Sequence, residues 1–142
     1  MTNNNNNVLW IENQLDYSMN QINMLRDAGY KVRTASTAEI GYEILSKAPD
    51  SYNVIILDIL LGEKPIEAIE IQNGRSGLVL HKLIRDKLHI NTPIIFVTVI
   101  VDNSIVSYIT KEEENRGLIP HILHKPVRPS ELLDLINKII HK

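Results

Sequence analysis

Carboxylates, an amide, a hydroxyl and an ammonium each stand at or just past the end of a short apolar run in this 142-residue chain. Glu12 and Asn13 follow Val8–Leu9–Trp10–Ile11, and Asp58 follows Val54–Ile55–Ile56–Leu57. Thr98 follows Ile94–Ile95–Phe96–Val97, and a last run, Leu118 to Leu123, reaches His124–Lys125–Pro126. The oxygens of Glu12, Asn13 and Asp58 suit a hard cation such as Mg2+, which takes a few protein oxygens and keeps several waters. A hydroxyl and an ammonium suit the oxygens of a phosphoryl group. A cation and a lysine together would offset the charge of a phosphoryl group set on a carboxylate.

These residues meet only if the fold brings the ends of distant segments to one edge. Short unbroken apolar runs rich in β-branched residues read as strands buried on both faces, the habit of a parallel sheet. Between them lie helical stripes. Met19, Ile22, Met24 and Leu25 lie on one from Asp16 to Ala28, ended by Gly29. Tyr30–Thr34 alternates weakly, as an edge strand does. Thr37 caps a helix to about Lys47, with Ile40, Ile44 and Leu45 inward. Gly77 opens a helix to about Leu88. Asp102 or Asn103 caps another that runs through Ile105 and Ile109 to Glu112–Glu113–Glu114, read as a solvated face, and Gly117 ends it. Ser130 begins a closing helix. The β-α unit thus repeats five times, which implies parallel strands, right-handed crossovers and helices on both faces. In such sheets the functional crevice lies outside the carboxyl ends of the strands.

Length and composition bound the rest. The chain is 44% hydrophobic and 23% charged, a globular balance for one domain. Residues 1–7, with the tract Asn3–Asn7, read as a disordered tail, and residues 8–142 as the folded domain. The closing helix is taken as the end of the protein, with no output domain attached. Net charge is −2 and no basic stripe exists, which argues against a nucleic-acid surface. Absence of cysteine removes disulfides, thiol catalysis and thiolate metal sites. No apolar stretch has membrane-spanning length and no signal segment opens the chain, so a soluble cytoplasmic protein is expected. His121 and His124 are an odd number of strand positions apart and cannot chelate together. Trp10 and Tyr30 read as core and edge packing.

With these residues in register, the chain resembles a response-regulator receiver (CheY-like) domain from Val8 onward. The resemblance implies a flavodoxin-like (βα)5 fold, a doubly wound parallel sheet of order 2-1-3-4-5. It implies that Asp58 accepts a phosphoryl group from a histidine kinase or phosphotransfer protein. Mg2+ would be held by Asp58, Asn13, the Leu60 backbone carbonyl and, through water, Glu12. Thr98 and Lys125 would contact the phosphoryl oxygens, and the Lys125–Pro126 bond would be cis. A downstream protein target is implied, and a homodimer through the helix-four to helix-five face is allowed.

The chain departs from the family pattern in four places. The second acid of the usual pair is Asn13, which brings no charge and weakens Mg2+ binding; Asp16 is a distant substitute. Val99 replaces the small residue after the strand-four hydroxyl. Ile122 replaces the aromatic three residues before the lysine. Residues 62–76 lengthen the loop after Asp58, with Ile66, Ile69 and Ile71 inside it, as a lid or a partner surface. A phosphatase with an aspartyl nucleophile typically needs a second Asp where Leu60 stands, and Asn13–Gln14–Leu15 is no Gly-rich nucleotide turn. The chain is therefore expected to be a single-domain phosphoacceptor rather than an enzyme. The competing expectation is a non-phosphorylated pseudo-receiver that serves as a protein-interaction module.

Overall fold

The computed structural model of the chain describes residues 6–61, 76–99 and 103–141. Among the described residues, five strands, β1 (Asn7–Ile11), β2 (Lys31–Ala35), β3 (Val54–Asp58), β4 (Ile94–Thr98) and β5 (His121–His124), alternate with helices. The helices are α1 (Met19–Asp27), α2 (Ala38–Lys47), α3 (Ser76–Lys82), α4 (Asn103–Asn115) and α5 (Pro129–Ile140). Every strand pair is parallel and the order is β2-β1-β3-β4-β5. The doubly wound sheet expected from the alternation is the one observed.

Position in the sheet explains the sequence of each strand. β3 and β4 are buried at every residue, which is why their apolar runs are unbroken. β2 is an edge strand and alternates, with Lys31 and Arg33 outward and Val32 inward. β5, the other edge, is only half-buried. Side chains alternate across the sheet, so the core splits in two. Leu9, Ile11, Ile55, Leu57 and Phe96 pack with Ile44 and Leu45 of α2, Leu80 of α3 and Ile109 of α4. Val8, Trp10, Ile56 and Val97 pack with Ile22 and Leu25 of α1 and Leu132 and Ile136 of α5.

Local signals fix several ends. Thr37 Oγ1 accepts a hydrogen bond from the Ile40 N–H at 3.0 Å, capping α2. Gly29 (φ +100°) and Gly117 (φ +75°) follow α1 and α4 in the left-handed region that favours glycine. Other ends differ from expectation. β1 starts at Asn7, whose N–H donates to Asn53 Oδ1 at 3.0 Å, and the Asn6 carbonyl accepts from Lys31 N–H at 2.8 Å. The asparagine tract is therefore tied to its neighbours at its last two residues; residues 1–5 lie outside the described residues. A 3-10 turn, Leu15–Ser18, precedes α1. β5 starts at His121 rather than Leu118, after Pro120, which has no N–H for a ladder. Pro129 occupies the first turn of α5, one residue before the expected start. Ile40 is not inward but 41% exposed, and Gly41 is buried beside it. The inserted loop, with Ile66, Ile69 and Ile71, and the Asp102 cap lie outside the described residues.

The acidic run on α4 requires a larger correction. Glu113 is not on a solvated face; it is fully buried. Arg85 grips it with Nε to Oε1 at 3.0 Å and Nη2 to Oε2 at 2.6 Å, and His81 Nε2 lies 2.8 Å from Oε1. Arg85 also donates to the carbonyls of Ile90 and Thr92 at 2.8 and 2.7 Å. Arg85 sits in a π-helical turn, Leu83–Lys87, that continues α3. Burial alone would raise the Glu113 carboxyl. The hydrogen bonds from His81 and Arg85, with the Arg85 charge, outweigh burial and bring it down to about 2.

Candidate functional site

The order of the sheet reverses at β1, which lies between β2 and β3, so the crevice is expected beyond the carboxyl ends of β1 and β3. Glu12 directly follows β1, and Asp58 is the last residue of β3. Thr98 is the last residue of β4, and Lys125 directly follows β5. Three of these side chains converge. Lys125 Nζ lies 3.0 Å from Asp58 Oδ2 and 3.1 Å from Glu12 Oε2. Lys125 is thereby a bridge between carboxylates that are 46 positions apart in sequence, Glu12 and Asp58.

Thr98 is buried, and its backbone carbonyl accepts from Lys125 N–H at 2.8 Å. That bond pins the start of the segment after β5 to the end of β4. The Lys125–Pro126 peptide is cis. The Leu60 N–H donates to Asp58 Oδ1 at 3.0 Å, which orients the Asp58 carboxyl from within its own loop. The Leu60 backbone N–H is therefore beside the Asp58 carboxylate. Asn13 follows Glu12 and is half-buried. The start of α3 lies against the backbone of Asp58 and Ile59. Gly77 N–H donates to the Ile59 carbonyl at 2.9 Å, and a Cβ on Gly77 would stand 2.3 Å from the Asp58 carbonyl. Glycine is required there by close approach of two backbones.

Sequence reasoning missed two members of this cluster. Trp10 Nε1 donates to Glu12 Oε1 at 3.1 Å, and Ser18 Oγ donates to the same oxygen at 2.9 Å. Trp10, Glu12 and Ser18 are all buried. The signal for Trp10 was present, because residues two apart on a strand share a face. Ser18 carried none, since its place depends on the 3-10 turn. Val99 is 58% exposed and, with Lys125 and Trp10, lines a cleft of about 340 Å3 beside the pocket. Ile122 is half-buried and packs on the core layer that holds Phe96.

Burial pushes the Asp58 carboxyl above its ordinary range, and the Glu12 charge adds to that push; the bonds from Lys125 and Leu60 offset only part of it. Burial works against the Lys125 charge, but Asp58 and Glu12 outweigh it and hold the ammonium above its ordinary value. Among the described residues, two buried carboxylates against one ammonium leave a net negative pocket. Among the described residues, no three His, Cys, Asp or Glu side chains are grouped to hold a metal. Glu12 and Asp58 would supply two carboxylates, with the Asn13 amide and the Leu60 carbonyl as further candidate oxygen donors. That set and charge fit a hard, water-retaining divalent cation.

No protein-family model matches the chain, and no curated protein does. Solved structures do. A putative response regulator from Chloroflexus aurantiacus J-10-fl is 25% identical, with a TM-score of 0.70 over 96% of this chain and 98% of that one. A response regulator receiver domain protein from Clostridium thermocellum is 24% identical, with a TM-score of 0.72 over 95% and 94%. A CheY-like receiver domain protein from Methanospirillum hungatei JF-1 is 23% identical, with a TM-score of 0.69 over 95% and 93%. Among the described residues, no helix is long and apolar enough to cross a membrane. Strand order, layer arrangement and these likenesses agree: the chain has the flavodoxin-like fold of CheY-like response-regulator receiver domains.

Proposed function

We propose that the chain is a phosphoacceptor in two-component signalling, taking a phosphoryl group on Asp58 from a histidine kinase or phosphotransfer protein. The observation that carries this reading is the Lys125 ammonium, 3.0 Å from a carboxylate buried at a sheet switch point. Asp58 Oδ2 is the attacking oxygen. The Leu60 N–H holds Oδ1 and so fixes the plane of the carboxylate. Lys125 and Thr98 receive phosphoryl oxygens as negative charge accumulates at the end of β3. Glu12, Asn13, Asp58 and the Leu60 carbonyl would hold Mg2+, which when bound supplies further positive charge to the phosphoryl oxygens. The acyl phosphate returns to carboxylate by hydrolysis, so the chain acts as a switch consumed by no net reaction. A downstream protein target reads the state of the strand ends. A cytoplasmic site of action, where kinase and target meet, goes with this reading.

A second reading has its own support. Lys125 already bridges both carboxylates, and Glu12 Oε1 carries two donors, so the pocket is internally satisfied. Such a pocket suits a pseudo-receiver that binds a partner without phosphate. Treatment with a small phosphodonor and Mg2+, read by intact mass, separates the two. The first reading expects a gain of one phosphoryl group in the wild type and none in Asp58→Asn. No gain in either, with Mg2+ leaving Trp10 emission unchanged, overturns the first and supports the second.

A further inference from the structure

We infer that Trp10 and Ser18 are positioning residues for the phosphoacceptor pocket, acting through Glu12; the inference rests on the phosphoacceptor reading above. Glutamate has one more methylene than aspartate, and its carboxylate can swing about an additional torsion. At the end of β1 that freedom is removed. Oε1 accepts from the Trp10 indole N–H at 3.1 Å and from the Ser18 hydroxyl at 2.9 Å. Oε2 is left to face Lys125 at 3.1 Å. Both donors are neutral, so they orient the carboxylate without cancelling its charge. They hold one oxygen away from the pocket and present the other to it.

The three donors come from three elements, β1, the 3-10 turn and the segment after β5. Trp10 and Glu12 share a face because they are two apart on one strand line. The 3-10 turn, closed by Tyr17 N–H on the Gln14 carbonyl at 3.1 Å, brings Ser18 over the same oxygen. Outer partners of this kind decide whether a ligating group is in place before the cation arrives. This chain has Asn13 where a second charged acid would stand, so among the described residues Glu12 and Asp58 are the pocket's carboxylates. A misdirected Glu12 would leave Asp58 as the one anionic ligand among the described residues. The pair of donors therefore sets the affinity for the divalent cation.

The test uses the full chain with Ser18→Ala, Ser18→Thr and Trp10→Phe. Mg2+ affinity is measured by calorimetry on the unphosphorylated protein, beside phosphoryl uptake as a function of Mg2+ and the melting temperature. In Ser18→Ala the half-saturating Mg2+ concentration rises about tenfold, in the range that second partners of ligands command, while Ser18→Thr stays within about twofold of wild type. The adjoining cleft of about 340 Å3, which Ser18 lines, has room for the added methyl. The rate at saturating Mg2+ falls by a smaller factor than the affinity. Trp10→Phe, which removes the N–H and leaves a smaller aromatic ring, shifts affinity in the same direction. Wild-type affinity in Ser18→Ala overturns the inference, as does an equal loss in Ser18→Ala and Ser18→Thr. The wild-type control separates this from the function itself. If the wild type neither binds Mg2+ nor gains phosphate, the phosphoacceptor reading falls and takes the positioning role with it. If the wild type does both and the variants match it, only the positioning role falls.

Discussion

Asp58 and Glu113 are both buried carboxylates, yet their surroundings drive them in opposite directions. Asp58 sits with a second acid and one ammonium, and its folded pKa lies above the ordinary value of 3.8. A carboxyl raised in this way binds its proton more tightly when folded. Its contribution to stability is greatest below about pH 3.8 and declines as pH rises through the folded value. Asp58→Asn is therefore expected to raise the melting temperature by a few degrees at pH 7, with the gap closing toward acid pH. Thermal scans of both proteins across pH check this. A lower melting temperature for the variant at pH 7 would contradict the account. At this level the sequence was informative for Asp58, Glu12 and Lys125, which meet in the folded chain, because each lies at or just past the end of an apolar run. It was silent on what holds Glu12. A hydrogen bond to Ser18 depends on the path of a turn, and no residue pattern specifies that path.

α3 and α4 are joined by charge as well as by apolar packing. Arg85 and His81, four apart beyond the Asp58 strand, both reach Glu113 on α4. At the rim, Arg116 adds a second tie, to Asp86 at 2.9 Å. The buried tie is the consequential one. Removing one partner leaves the other charge uncompensated in the core, so Glu113→Gln is expected to cost about 3 kcal/mol. For a domain of this size that corresponds to a fall of roughly 10 °C in melting temperature, measurable by calorimetry. The pH sign is opposite to that of Asp58. With a folded pKa of about 2 against an ordinary 4.5, Glu113 stabilises fully above about pH 4.5 and loses that contribution as pH falls toward 2. The variant's acid limb should be flatter than the wild type's. The sequence held a clue here that the acidic run obscured. Ile105, Ile109 and Glu113 recur every four residues, which places Glu113 on the apolar stripe rather than among solvated neighbours. Similarly, the strands, the caps at Thr37 and Gly29 and the strand order were legible. The start of β5 and the π-helical turn were not, since they answer to long-range packing.

Taken whole, the molecule is one sheet clad on both sides, and the same strands feed both layers of core. Opening either layer exposes one apolar face of β1, β3 and β4, the strands that hold the other layer in place. Urea unfolding is accordingly expected to be two-state. Emission from Trp10, the chain's only tryptophan, lies in the layer under α1 and α5, whereas far-ultraviolet circular dichroism reports every helix. The two transitions should coincide; separated midpoints would show that one layer melts first. The sheet's two rims have a different consequence. A parallel sheet left open at its sides offers bare amides and carbonyls to any passing chain. β2 carries exposed Lys31 and Arg33 along its margin, and β5 has only four residues and ends in exposed His124. Cationic decoration on one flank and brevity on the other discourage stacking of copies into fibrils, so crowding should leave this protein dispersed.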